Sequence, residues 1–330
     1  MKFPEKFELK ILSRDWVLKH WGPPPQPSKE MLIEELVYKL SLLVSPDFNI
    51  TKGKREWAAS FMAATAGYTL YVIKENFNIA DPVARRAIAH ELVHILQYHY
   101  FRPHYPTTLD KKMAIQALIE GDADLVADIY CNLTGMPPRP KPSIPINNPY
   151  IALQSFPYIY GECFVSYLYD RGGWKLVNQA YKIPPISTEQ VIHPEKYLKR
   201  EQPVNTTLIT NETGKPLYIN VMGEYYVLLI LITKIGMSEA LRASEGWGGD
   251  LLELFYVDEA KEWRLYWNIT WDTVKDAQEF YDAFNKALRN IGAVKIMNGS
   301  NRVMYKVWSY IIEVFINNRN VLIKSVKEIK

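Results

Sequence analysis

The stretch His90-Glu91-Leu92-Val93-His94 decides the architecture predicted for this chain. Side chains at positions i and i+4 of an α-helix share one face, so both imidazoles point to the same side. Their ring nitrogens can reach one tetrahedral Zn²⁺ at about 2.0–2.1 Å. Glu91 lies between them, where its carboxylate can take a proton from a zinc-activated water. The pattern therefore predicts a metal centre that activates water.

The flanking residues place this motif on a helix of roughly residues 81 to 101. Asp81 is a helix-capping residue, and Pro82 follows it at the first helical position. Apolar residues then recur at helical spacing, at Val83, Ile88, Leu92, Ile95 and Leu96. The alternative is a buried structural pair of histidines, but burying two imidazoles and a carboxylate without a metal is costly.

A zinc site of this type needs a third protein ligand. The HExxHxxGxxH pattern is excluded as its source because Gln97 and Tyr100 occupy the glycine and histidine positions. A second predicted helix, about residues 108 to 133 and closed by Gly135, carries a better source. Glu120 and Asp124 share a face of it, so Glu120 can bind the metal while Asp124 accepts the free N–H of a ligand histidine.

Two readings compete with this assignment. Glu120 and Asp124 could form a solvated helix face with no metal nearby. His99 and His104 are rival third ligands, although both lie close in sequence to the end of the first helix. The upstream motif favours the assignment to Glu120.

The composition is that of a globular protein, with 330 residues, 48% of them hydrophobic and 23% charged. A net charge of +3 with scattered basic residues gives no support to nucleic-acid binding. The longest apolar run, Val227–Ile232, is too short to span a membrane, and residues 1–6 do not resemble a secretion signal. We therefore expect a cytoplasmic protein. Cys131 and Cys163 form neither a disulfide framework nor a CxxC site.

The fold class predicted from these patterns is α+β, with a region of residues 1–215 that holds both motif helices and a region of residues 216–330. Residues 67–79 read as a strand. Tyr68–Ile73 is either an edge strand that can pair with an extended peptide or, equally well, an ordinary core strand. The proline-rich stretch 136–149 predicts a stiff surface loop or a rim of a substrate cleft. In the second region we predict an antiparallel sheet and a helix, with strands near 251–257, 262–270, 293–297, 302–316 and 320–327 and the helix near 273–290.

The blocks HELVHILQ at residues 90–97 and ALIEGDA at residues 117–123 resemble the gluzincin arrangement of HExxH with a downstream glutamate. Further blocks, including STEQVIHPEKY at residues 187–197 and EGWGGD at residues 245–250, are similar to those of a bacterial and archaeal family of zincin-like proteins. The resemblance covers about residues 65–290. It implies a zincin-like catalytic domain, made of a small sheet and the active-site helices, and a peptidase activity.

The expected function is hydrolysis of peptide or protein substrates by one Zn²⁺ per chain, with Glu91 as general base. The oxyanion formed in the reaction needs a further hydrogen-bond donor. His193 is the first candidate, since it lies in the HPEKY block, and Tyr158 is the second. Both could instead be structural. Two alternatives stay open, namely a zinc-containing peptide-binding scaffold without turnover and a zinc hydrolase that acts on a non-peptide amide.

Overall fold

The computed structural model describes residues 2–137, 139–208, 210, 212 and 214–328. The helices are α1 Arg14–His20, α2 Lys29–Leu40, α3 Ile50–Ala59, α4 Pro82–Tyr100, α5 Leu109–Leu133, α6 Pro149–Ala180, α7 Thr188–Ile192, α8 Pro194–Lys199, α9 Glu224–Ile235, α10 Met237–Ser244 and α11 Val274–Asn290. The strands are β1 Glu8–Leu12, β2 Ala63–Ala66, β3 Thr69–Ile73, β4 Tyr218–Asn220, β5 Trp247–Val257, β6 Glu262–Trp271, β7 Val294–Asn298, β8 Arg302–Val307, β9 Tyr310–Asn317 and β10 Asn320–Glu328. The mixture of helices and separate sheets confirms the predicted α+β class.

A three-stranded sheet has the order β1-β3-β2, with β1 parallel and β2 antiparallel to β3. Of the two readings of Tyr68–Ile73, the edge strand is wrong and the core strand is confirmed, because β3 is hydrogen-bonded on both sides. The edge strands are β1 and β2, and of these two it is β2 that packs beside α4. Its outer side has no neighbouring strand among the described residues, so the open edge next to α4 belongs to residues 63–66.

Helix α4 begins where the sequence indicates. The Asp81 side chain accepts a hydrogen bond from the Val83 N–H, and Pro82 occupies the first turn. The apolar face of α4 packs on the small sheet through Ile88, Leu92 and Ile95, which contact Leu70 and Val72. This packing turns the opposite face of α4, which carries the HExxH motif, away from the sheet core.

A seven-stranded sheet has the order β4-β5-β6-β10-β9-β8-β7, and all its pairings are antiparallel. The single strand predicted at 302–316 is wrong, because β8 and β9 are two strands of a hairpin joined by Trp308-Ser309. Trp308 adopts a φ of 52° in this turn. Sequence rules place glycine or asparagine at such positions, so a tryptophan there gives no turn signal.

One hydrophobic core extends across both predicted regions. It joins Leu118 of α5 and Phe164 of α6 to Leu229 of α9 and Trp267 of β6. Among the described residues, the two regions predicted to meet at residue 215 therefore share one hydrophobic core. No helix in the described part of the chain combines the length and the hydropathy needed to cross a bilayer.

Helices α5 and α6 approach each other closely enough for their backbones to touch. A Cβ added at Gly121 would lie 2.1 Å from the Gly161 carbonyl oxygen, and one added at Gly161 would lie 2.4 Å from the Ala117 carbonyl oxygen. Only a residue without a side chain fits at either position. Glu120 of α5 and Tyr158 of α6 lie within one turn of this crossing, so its geometry positions them.

We predict that Gly121→Ala lowers the free energy of unfolding by about 1–3 kcal/mol, because the added methyl group meets backbone that cannot move independently. Urea denaturation followed by circular dichroism measures this change. Gly214→Ala is the control, since no described heavy atom lies within 4 Å of the Cβ position there. Equal stability of the two variants would contradict the close helix crossing.

Candidate metal centre

The HExxH face of α4 opens into a cleft of about 700 Å³ that is bordered by α4, α5, α6 and the strand β2. The cleft contains four of the side chains that the sequence assigns to the centre, namely His90, Glu91, His94 and Glu120. Asp124 and Tyr158 also line it. The structure thus brings both motif helices to one site.

Three potential ligand atoms converge in this cleft. His90 Nε2 lies 3.1 Å from His94 Nε2 and 3.1 Å from Glu120 Oε2, and His94 Nε2 lies 3.4 Å from Glu120 Oε2. A tetrahedral zinc ion with bonds of about 2.0–2.1 Å places its ligand atoms about 3.3 Å apart. The spacing of the three atoms therefore fits one zinc ion.

The other ring nitrogen of each histidine has an acceptor. His90 Nδ1 donates to Asp124 Oδ1 at 2.9 Å, and His94 Nδ1 donates to Gln97 Oε1 at 2.7 Å. The Gln97 amide orientation is set by its NH₂ group, which donates to the Ile119 carbonyl and to Asp122. With both Nδ1 atoms protonated, a neutral imidazole carries its lone pair on Nε2.

The consequence is a local excess of electron pairs. Two Nε2 lone pairs and a carboxylate oxygen face one another within 3.4 Å. Such an arrangement is repulsive unless a cation or an added proton occupies the centre. Two imidazoles, one carboxylate and an open side toward the cleft match the donor set of catalytic zinc sites.

The charges around the cluster favour positive charge at its centre. Burial lowers the pKa of His90, but its hydrogen bonds with Asp124 and Glu120 outweigh burial and raise the pKa to about 10. Burial raises the pKa of Glu120, but the two imidazoles outweigh it and hold the pKa well below the ordinary value. Both shifts have the sign expected for a cation-binding site.

Asp124 is itself held by two arginines. Arg86 Nη2 lies 3.0 Å from Asp124 Oδ1, and Arg139 Nη2 lies 3.2 Å from Asp124 Oδ2. Arg139 belongs to the proline-rich loop and lines the cleft, so this loop forms part of the cleft rim. The guanidinium groups keep the Asp124 carboxylate charged and fix its orientation toward His90.

Glu91 lies beside the cluster without a partner. Its carboxylate offers an oxygen within 4.8 Å of nitrogens of both His90 and His94. Glu91 is 9% exposed, and its Oε2 is buried with no hydrogen-bond partner in the described structure. The Glu91 backbone carbonyl is fixed by the Thr65 hydroxyl of β2 at 3.0 Å. A buried, unpaired carboxylate of this kind has free acceptor capacity for a water molecule.

The two candidate oxyanion donors lie in different places. Tyr158 lines the cleft, where burial and the charge of Glu120 raise its pKa well above the usual value, so its hydroxyl keeps its proton. His193 is not among the described residues that line the cleft. Its Nε2 lies 3.0 Å from the buried Glu224 carboxylate at the start of α9. The structure therefore brings Tyr158, and not His193, to the candidate metal centre.

The rival third ligands lie outside the cluster. His99 Nδ1 is bonded to the Tyr68 hydroxyl at 2.9 Å, and neither His99 nor His104 lines the cleft. A second group of carboxylates, Glu189, Glu201 and Asp272, also has the spacing of metal ligands. The Lys196 ammonium lies between them at 2.6–2.9 Å from each. That position is occupied by a cationic side chain.

Sequence reasoning missed the supporting role of Gln97 and Asp122. In the sequence, Gln97 was informative only because it excludes the HExxHxxGxxH pattern. It lies three residues after His94, however, and therefore on the same helix face. Asp122 accepts hydrogen bonds from Gln97 at 3.0 Å and from the Tyr181 hydroxyl at 2.6 Å. The spacing could have revealed Gln97, whereas the contact with Tyr181 depends on the tertiary fold.

Comparison with known families gives one match, in which residues 214–323 match a domain of unknown function (DUF8575). The matched segment contains α9, α11 and most of the large sheet. It contains none of the residues that line the cleft. Comparison with curated proteins and with solved structures finds no match.

Metal analysis should distinguish the two glutamates of the cleft. We expect the purified protein to bind about one zinc per chain, and Glu120→Gln to lose most of this zinc because a charged ligand becomes neutral. Glu91→Gln is the matched control in the same cleft and should retain the metal. Equilibrium dialysis followed by atomic emission measures both. Equal zinc content of the two variants would contradict the assignment of Glu120 as the ligand.

Proposed function

We propose that the chain is a zinc-dependent peptidase with a zincin-like catalytic fold. In this proposal His90, His94 and Glu120 hold one Zn²⁺, and Glu91 is the general base. One observation carries the proposal: three converging ligand atoms lie in a solvent-open cleft beside the buried Glu91 carboxylate, whose Oε2 has no hydrogen-bond partner in the described part of the chain. Neither the metal nor the base is sufficient alone, and their combination is what hydrolysis requires.

A zinc ion held at this position would polarise a peptide carbonyl and lower the pKa of a water molecule. The chain supplies the proton transfers. Glu91 accepts a proton from the attacking water and returns it to the leaving nitrogen. Its Oε2 is free for both steps because no donor among the described residues binds it. The Tyr158 hydroxyl donates to the oxyanion that develops on the substrate carbonyl.

Substrate binding is assigned to the open edge of β2. Ala63, Ala64 and Thr65 line the cleft, and the outer side of this strand has no pairing partner among the described residues. An extended peptide can add to such an edge through main-chain hydrogen bonds. The hydrogen bond from Thr65 to the Glu91 carbonyl holds the edge next to the general base. A strand next to the base favours peptides over other amides.

The proposal is tested by incubating the zinc-loaded protein with a mixed peptide library and detecting products by mass spectrometry. We expect cleavage that a chelator stops and added zinc restores, and no cleavage by Glu91→Gln. Full activity of Glu91→Gln would exclude Glu91 as the base. Peptide binding without cleavage by the parent protein would favour a scaffold, and cleavage of only non-peptide amides would favour a different hydrolase.

For Tyr158→Phe we predict a loss of about 10²-fold or more in kcat with zinc retained, because the variant lacks one donor to the oxyanion. KM should change less than kcat, since the interaction forms mainly in the transition state. Tyr130→Phe is the matched control, because Tyr130 is 40% exposed on α5 and does not line the cleft. Unchanged turnover of Tyr158→Phe would assign oxyanion stabilisation to another group.

A further inference from the structure

Three arginine side chains line the cleft, and they differ in their partners. Arg86 is paired with Asp124 and Asp128, and Arg139 is paired with Asp124 and Glu162. Arg102 has no carboxylate within 4.0 Å in the described parts of the chain. Of the three arginines that line the cleft, Arg102 is therefore the one that forms no salt bridge with a described acidic residue.

The local structure holds Arg102 at one end of the cleft. Arg102 follows the end of α4 with a φ of 45°, and its guanidinium lies 6.0 Å from the centre of the Tyr98 ring. Tyr98 packs edge-to-face on Tyr68 at 5.1 Å and lies 3.6 Å from the Cβ position of Gly67. A guanidinium at this distance from an aromatic ring is within the outer range of a cation–π contact, and such a contact leaves its N–H groups free to bind an anion.

The two ends of the cleft have different chemistry. At the end where β2 begins, Trp57, Phe61 and Val83 form an apolar wall. At the end where β2 finishes, Gly67 lies against Tyr98, and the Arg102 guanidinium lies 6.0 Å from the centre of the Tyr98 ring. The candidate metal centre lies between these two ends. Thr65 of β2 donates a hydrogen bond to the backbone carbonyl of Glu91, which belongs to the HExxH motif. A bound peptide therefore has one half near the apolar wall and the other half near Arg102.

The direction of the peptide follows from the strand. Antiparallel pairing is more stable per residue than parallel pairing, so we take the peptide to run opposite to β2. Its N-terminal half then lies over Gly67 and Arg102. Gly67 is two residues beyond Thr65, in the turn that follows the end of β2 at Ala66. A substrate side chain two or three residues before the cleaved bond is thus near the guanidinium.

We propose that Arg102 is a specificity-determining residue that selects peptides with an acidic side chain shortly before the cleaved bond. This inference rests on the proposed peptidase function. The neighbouring segment of residues 99–112 supports it, because His99, Arg102, Lys111 and Lys112 are exposed and its one acidic residue, Asp110, is 1% exposed. Asp110 instead accepts hydrogen bonds from Thr188. Arg102 is the cationic residue of this segment that lines the cleft, and no exposed carboxylate of the segment offsets its charge.

The test profiles cleavage of a peptide library with blocked termini by the parent protein, Arg102→Gln, Arg102→Glu and Arg85→Gln. We expect the parent to favour glutamate or aspartate over glutamine or asparagine before the cleaved bond by about fivefold in kcat/KM. Arg102→Gln should abolish this preference, and Arg102→Glu should shift it toward lysine. Arg85→Gln is the matched control, since Arg85 is exposed on α4 and does not line the cleft. High salt should weaken the preference.

A binding experiment separates this inference from the proposed function. The same library is passed over immobilised Glu91→Gln protein, with and without zinc, and the retained peptides are sequenced. Enrichment of acidic peptides that is lost in Glu91→Gln/Arg102→Gln supports the role of Arg102 even if no protein cleaves. Cleavage with no acidic preference, or with a preference that Arg102→Gln leaves intact, overturns the inference and leaves the peptidase proposal standing. An acidic preference after the cleaved bond also overturns it.

Discussion

The backbone contact between Gly121 and Gly161 is the constraint on which the candidate metal centre depends. Because neither residue has a side chain, α5 and α6 cross at a distance that no other residue permits. Glu120 precedes one glycine and Tyr158 lies one turn before the other, so the crossing brings the proposed metal ligand and the proposed hydroxyl donor into one cleft. Protein interiors do not deform continuously, and a wider crossing would displace both groups together.

The hydrogen bonds made by the Nδ1 atoms of His90 and His94 determine which ring nitrogens are available to bind a metal ion. Asp124 and Gln97 accept from the two Nδ1 atoms and thereby direct both Nε2 lone pairs toward Glu120. The segment 120–124 supplies most of this arrangement, since Glu120 faces the centre, Gly121 meets α6, Asp122 holds Gln97 and Asp124 holds His90. The electrostatic cost of the converging lone pairs is relieved when a cation binds, so metal binding should also stabilise the fold.

The parts of the centre that the sequence could predict are those fixed by a single helix. The i, i+4 relations of His90 with His94 and of Glu120 with Asp124 follow from helix geometry, and the helix bounds predicted from caps and prolines differ from α4 and α5 by one residue at most. The choice between His193 and Tyr158 depends on how α6 and α8 pack, which no local pattern encodes. For the same reason, the sequence indicated a strand before the motif helix but could not tell that β3 is central and β2 is the edge.

The two glutamates of the cleft illustrate how environment, and not residue type, assigns a role. Glu120 contacts both imidazoles, which stabilise its charged form and place its oxygen at ligand distance from their nitrogens. Glu91 is adjacent to His90 in the sequence, but its buried Oε2 has no hydrogen-bond donor among the described residues. A carboxylate used as a ligand gives its lone pairs to the metal, whereas a general base must keep them for a proton. The opposite surroundings of the two carboxylates therefore match the two roles proposed for them, and an exchange of these surroundings would be incompatible with both roles at once.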